Sequence, residues 1–242
     1  MKAQRNLRVL LVLALILAAP RTEGDARAPA PQEISASYHV LMNGAHVAVM
    51  NESFEARDNA YRIVSESSAV GLLALFERQP LRFVSTGQVT ASGLRPRHFE
   101  GRRGEADRRQ VRAEFDWQAG QLALTHDGRI ETLPLPPDTQ DRLSMMYQFM
   151  FRRFQDPRRL DFAMTNGRKL DRYRYIIRAG VEIDTPLGRM KTLHLVKQRE
   201  PDEDGAEIWL APEHHHLPVR MLIEEKNGSR YEQIIVKLEL KP

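Results

Sequence analysis

The chain has 242 residues, no cysteine, and 36 basic against 32 acidic residues, a formal charge of +4. Without cysteine it can form neither a disulfide nor the acylated N-terminal cysteine of a bacterial lipoprotein, so its stability must come from a core, which a chain of this length can build. The charge does not point to nucleic acid: five basic and two acidic residues lie within the first 28, and the remaining 31 basic against 30 acidic residues leave +1.

Lys2, Arg5 and Arg8 precede an apolar run over 9–19, which Pro20 and Arg21 end. This is the pattern of a cleavable signal peptide. A spanning helix needs about 20 apolar residues, so no transmembrane anchor is expected after cleavage. Small residues at Ala26 and Ala28 favour a cut after Ala28, with Ala18-Ala19 as the alternative. Residues 1–28 are therefore read as signal peptide, 29–33 as a flexible leader, and 34–242 as a single β-rich domain, exported and soluble in the periplasm.

Ile34, Ala36, Tyr38, Val40 and Met42 alternate along the first segment, and Asn43-Gly44 turns the chain into a second strand over 45–57. Asp58-Asn59 leads into a third over 60–69. Gly71-Leu72-Leu73-Ala74-Leu75-Phe76 interrupts the alternation with consecutive apolar residues and is predicted to be a buried connector. Strand patterns resume over 81–90, 94–101, 110–117 and 121–126, with turns at Ser92-Gly93, Arg103-Gly104, Ala119-Gly120 and Asp127-Gly128. Between Pro136-Pro137 and Pro157, Leu143, Met146, Tyr147, Met150, Phe151 and Phe154 recur at helical spacing, with Asp138 or Thr139 able to cap the start. Strand patterns return over 160–165, 169–178, 189–199, 206–211, 219–225 and 230–240. About a dozen strands with hairpin-length links predict a mainly β fold. The expected form is a strongly curved, mostly antiparallel sheet or open barrel, with one principal amphipathic helix packed on its concave side.

No catalytic centre, cofactor or metal site emerges from these residues. There is no Gly-x-Ser-x-Gly elbow and no cysteine nucleophile. Asp138 and Asp141 read as helix-start residues, and Glu200, Asp202, Glu203 and Asp204 as a solvated turn. Adjacent residues on extended backbone point to opposite faces, so His214-His215-His216 reads as a turn and not as a zinc site.

Two groups of binding candidates remain. Leu143, Met146, Tyr147, Met150 and Phe154 form a soft apolar face, and Met and Phe re-pack readily around an apolar or lipid-like ligand; plain core is the competing reading. Arg102, Arg103, Arg108 and Arg109, with Arg95, Arg97 and Arg112 on the same hairpin, suit the phosphates of a lipid or an anionic envelope glycan. A solvated hairpin tip explains them more simply.

The sequence resembles the exported bacterial proteins grouped as domain of unknown function 3108. The resemblance rests on 38–44, on Ser92-Gly93-Leu94-Arg95-Pro96-Arg97-His98-Phe99, on Phe115-Asp116-Trp117, and on Pro137-Asp138-Thr139-Gln140-Asp141-Arg142-Leu143-Ser144. Thr185-Pro186-Leu187-Gly188, Trp209-Leu210-Ala211-Pro212 and Leu217-Pro218-Val219-Arg220 follow in order. It implies a predominantly β periplasmic domain, without an agreed activity or catalytic residues to carry over. The expected function is a periplasmic binding or carrier module for an apolar or lipid-like ligand or a lipoprotein segment. The alternative is a non-catalytic structural or assembly factor that contacts envelope components through the Arg-rich hairpin.

Overall fold

The computed structural model describes residues 30–77, 79–104, 110–152, 154, 156 and 158–242. The signal peptide with its cut site, and Arg108 and Arg109, lie outside the described residues.

The chain opens on a meander of β1 (Glu33–Met42), β2 (Ala45–Arg57), β3 (Ala60–Ala69), β4 (Leu81–Thr90), β5 (Gly93–Arg103), β6 (Val111–Asp116), β7 (Gln121–His126) and β8 (Arg129–Pro134). A two-residue strand, β9 (Gln140–Asp141), and a short helix, α1 (Ser144–Gln148), follow. A second meander runs through β10 (Arg159–Thr165), β11 (Leu170–Thr185), β12 (Gly188–Lys197), β13 (Gly205–Ala211), β14 (Leu217–Glu224) and β15 (Arg230–Lys241). The meanders join where β1 pairs with β15, giving one 15-stranded sheet in the order β8-β7-β6-β5-β4-β3-β2-β1-β15-β14-β13-β12-β11-β10-β9. Every pairing is antiparallel except β9 with β10.

The hairpins follow from their turn residues. Asn43-Gly44, Asp58-Asn59 and Asp127-Gly128 each place two successive residues at positive φ. That is the two-residue turn whose twist matches the strands it joins, and Asn, Asp and Gly tolerate it best. Register shifts at Ser37/Tyr38, Thr86/Gly87, Ala179/Val181 and Trp209/Leu210 interrupt the ladders, and such bulges bend a strand and sharpen its twist. One of them accounts for the odd pattern of β15. Ser37 pairs with Lys237 and Tyr38 with Ile235, so Val236 is the extra residue and the buried parity changes from Ile235 to Leu238 and Leu240.

The rolled sheet packs three apolar clusters. The first gathers Phe54, Ile63, Phe99, Leu122 and Leu124 from the first meander. The second gathers Tyr38, Met50, Trp209, Val219 and Ile235 around the β1–β15 seam. The third gathers Phe162, Tyr175, Leu195, Ile208 and Leu210 from the second meander. β13 is buried on both faces, with Ile208 and Leu210 in the third cluster and Trp209 and Ala211 in the second. Its run Ile-Trp-Leu-Ala is accordingly continuous rather than alternating.

Two expectations need correction. The connector at 71–76 is not buried: it forms a 3-10 turn, Gly71–Leu75, with Leu72 80% and Phe76 83% exposed. The amphipathic helix predicted between Pro137 and Pro157 contracts to the five residues of α1. Residues 140–141 are committed to a parallel pairing with Met164 and Thr165, and Asp138 sits at a φ of +58°, so the chain is not helical before Leu143. After Gln148 it continues in tight turns, with the amides of Met150 and Phe151 donating to the carbonyls of Tyr147 and Gln148.

Candidate functional site

The segment 138–151 lies between the first and third clusters, and its polar residues explain how it is held. Asp141 is wholly buried. Its Oδ1 accepts the amides of Leu143 (2.8 Å) and Ser144 (2.9 Å), and its Oδ2 accepts the hydroxyl of Ser85 on β4 at 2.6 Å. Tyr61 on β3 extends the network, its hydroxyl 3.1 Å from that of Ser85. Burial pushes the Asp141 carboxyl up, against these donors, which favour its ionised form. Asp141 therefore caps the helical turn and ties it to the sheet, the part assigned to Asp138 or Thr139 in the sequence reading. Thr139 instead donates to the carbonyl of Pro136.

Two glutamines fix the same segment to the β4–β5 turn. The Gln148 amide accepts from the Leu94 N–H (2.6 Å) and donates to the Ser92 carbonyl (2.9 Å), while Gln140 donates to the Leu94 carbonyl (2.8 Å). Among the described residues, the buried Gln140 Oε1 has no partner. Gly93 lies between these contacts at a φ of +105°, and a Cβ there would meet the Gln148 Oε1 at 2.3 Å. Only glycine combines that backbone with that approach. The runs Ser92-Gly93-Leu94 and Gln140-Asp141-Arg142-Leu143-Ser144, distant in the chain, thus form one joint.

The apolar candidates separate into two groups. Leu143, Tyr147 and Met150 are sealed in the first cluster. Met146 is only partly buried and packs against both the first and the third. Phe154 lies beyond α1 in the third cluster, its ring 6.5 Å from Phe149 and 5.2 Å from His216. The expected single face is therefore incomplete, because Met145 and Phe149, which the helical count left outside it, are fully buried on the other side. A helical turn that is apolar all round is a buried one, and the Met-Met-Tyr-Gln-Phe-Met run carried that signal.

The polar group that is left over is Arg142. Its half-buried guanidinium lies 4.6 Å from the ring of Phe83 on β4 and interacts electrostatically with Tyr173 on β11, so it stands between the two wings of the sheet. Among the described residues it has no hydrogen bond or ion pair. Burial pulls its pKa down, and the charges of Glu52 and Asp141 act in the opposite direction. Glu52, on β2 and also half-buried, accepts the Tyr147 hydroxyl at 3.1 Å. Desolvation raises its carboxyl, with Ser65, Tyr147 and Arg142 opposing. Composition did not single out this pair, because each residue stands alone in its local sequence.

Of the basic candidates, Arg103 pairs with Glu77 at 2.9 Å and donates to the Gln79 carbonyl at 3.1 Å. Arg102 is half-exposed and lies opposite Arg82 in the β4–β5 register. The histidine run forms a turn with His215 and His216 at positive φ. No helix among the described residues is long and apolar enough to cross a membrane.

A solved structure with this architecture exists. A β-barrel-like protein of another family of unknown function (DUF1849), from Brucella abortus, aligns over 88% of this chain and 99% of its own at a TM-score of 0.56 and 10% identity. At that identity the likeness shows the fold alone. A candidate lipoprotein from Parabacteroides distasonis (12% identity, 87% and 97% of the two chains) and a hypothetical protein from Chlamydia trachomatis (7%, 85% and 87%) align at TM-scores of 0.33 and 0.32. No curated protein matches the chain. Residues 35–236 match the family model described as protein of unknown function (DUF3108), and the chain belongs to that family.

Proposed function

We propose that the chain is an exported, non-catalytic envelope protein that binds an apolar or lipid-like ligand where Met146, Phe83, Tyr173 and Arg142 border the interior of the rolled sheet. Export rests on the pattern of the first 28 residues. The observation that carries the binding reading is Arg142: a guanidinium half withdrawn from water, over an aromatic ring, without an acceptor among the described residues. A cation in that position costs free energy that the polar head of an amphiphile offsets, while the neighbouring thioether and rings suit its apolar part. The sealed residues Leu143, Tyr147 and Met150 act as the floor beneath that ligand and not as its lining.

The test is a fluorescent fatty acid titrated into the wild type and into Arg142→Met, with mass spectrometry of lipids retained through detergent-free purification. Stoichiometric binding, weakened about tenfold or more by the substitution, is expected. A wild type that carries no lipid and takes up no probe removes the reading.

A second reading, an assembly factor contacting envelope components through the Arg-rich hairpin, is favoured by one feature. The exposed Leu72, Leu75 and Phe76 adjoin that hairpin through the Glu77–Arg103 ion pair.

A further inference from the structure

A surface groove of about 600 Å³, lined in part by Gln88 on β4, Arg95 and Arg97 on β5, Asp116 on β6, and Trp117 and Gln118 in the following turn, does not include Arg142, Met146, Phe83 or Tyr173. That volume is in the range of a small-molecule site. The charges in it are unequally committed. Glu114 is held by His98 at 2.6 Å, and the Asp116 Oδ1 accepts the amides of Gln118 (3.0 Å) and Ala119 (2.8 Å), closing its own turn. Arg95 and Arg97, both exposed, have no ion pair or hydrogen bond among the described residues. Nor do the side-chain amides of Gln88 and Gln118. The groove thus contains acids already in use and donors that are not.

One of these donors, Arg95, is also positioned in advance. Trp117 donates its indole N–H to the Pro96 carbonyl at 2.5 Å and stacks on Phe115 at 6.0 Å, and the Arg95 guanidinium lies 4.8 Å from its ring centre. A guanidinium stacked on a fixed indole keeps its planar fork directed and loses less freedom when it grips an anion. Arg95 and Arg97 both line the groove from β5, on either side of Pro96, where the register against β4 shifts between Thr86 and Gly87 and leaves Arg97 as the extra residue.

We propose that this groove is a binding site for a small ligand bearing two anionic groups, phosphates or carboxylates, spaced to meet Arg95 and Arg97, with Gln88 and Gln118 donating to its remaining oxygens. Such a ligand is either free or the headgroup of a lipid. Fructose 1,6-bisphosphate serves as the soluble probe, with glucose 6-phosphate as its single-anion counterpart, and vesicles of phosphatidylcholine with or without cardiolipin represent the lipid source.

Calorimetric titration is carried out on the wild type, Arg97→Gln, the double variant Arg95→Gln/Arg97→Gln, and Arg189→Gln, a distant exposed control. Circular dichroism establishes that each is folded. Expected are tighter binding of the bisphosphate than of the monophosphate, about tenfold or greater weakening by Arg97→Gln, loss in the double variant and no change in the control. Arg97-dependent binding of cardiolipin vesicles alone supports the site and assigns the ligand to a lipid. Equal binding by all four proteins, by the two sugars, or of neither probe class overturns it.

Discussion

Asp141 carries two opposed influences in one side chain: burial that favours its neutral form and three donors that favour its charge. Burial dominates, so the folded carboxyl titrates above its ordinary value of 3.8. The folded state then holds the proton to higher pH than the unfolded chain does. Its contribution to stability is fully present below the unfolded value and is lost as pH rises through the folded one. Asp141→Asn removes that titration while keeping the shape and an acceptor for the Leu143 and Ser144 amides. Urea melts of both proteins should show the variant gaining on the wild type as the pH rises above about 4. Glu52, raised in the same direction, remains in both and cancels in the difference. A difference that stays constant with pH would mean that the carboxyl is not held as the geometry implies. The capping role of an acid at the start of this turn was legible from local sequence. Its burial was not, because the hydroxyl that holds it, Ser85, is 56 positions away.

At the scale of the element, periodicity identified the segment that fills the sheet and misjudged its form. Counting only the residues that fit one helical face hid Met145 and Phe149, and the claim of β9 on Gln140 and Asp141 is a tertiary pairing that a window count does not contain. The run at 71–76 misled in the other direction: consecutive apolar residues suggest burial, yet nothing packs over Leu72, Leu75 and Phe76 among the described residues. The Asn-Gly and Asp-Gly hairpins were legible because their turn chemistry is local. The corrected segment makes two of its methionines, Met146 and Met150, unequal. Met150, 2% exposed in the first cluster, should cost roughly 2–5 kcal/mol on truncation to Ala. Met146, partly buried between clusters, should cost markedly less and should weaken acyl-probe binding instead. Denaturant midpoints and probe titrations of the two variants measure both effects, and equal destabilisation would return Met146 to plain core.

For the whole molecule, the decisive pairing is the one that sequence patterns do not reveal, β1 with β15. A meander read strand by strand gives neighbours for each hairpin but does not say that the first strand lies mid-sheet beside the last. Glu33 is the register partner of Lys241, and the Gln32 amide donates to the Lys241 carbonyl at 3.0 Å, so the described ends of the domain meet. A link of about four residues is enough to span such a gap. Joining the end at Pro242 to a domain beginning at Pro31 should restrict the unfolded chain without straining the folded one. The expected gain is at most roughly 5 kcal/mol, the cost of closing a ring of about 210 residues. Opening that ring between Pro186 and Leu187, both exposed in the β11–β12 turn, restores two free ends. The permuted protein should fold to the same circular dichroism spectrum with stability near that of the wild type, since the closure cost has only moved from one strand pair to another. Deleting 33–42 instead removes the strand that joins the two meanders and should abolish cooperative folding. A circular form no more stable than the linear one, or a permuted chain that fails to fold, would contradict the β1–β15 seam and with it the single continuous sheet.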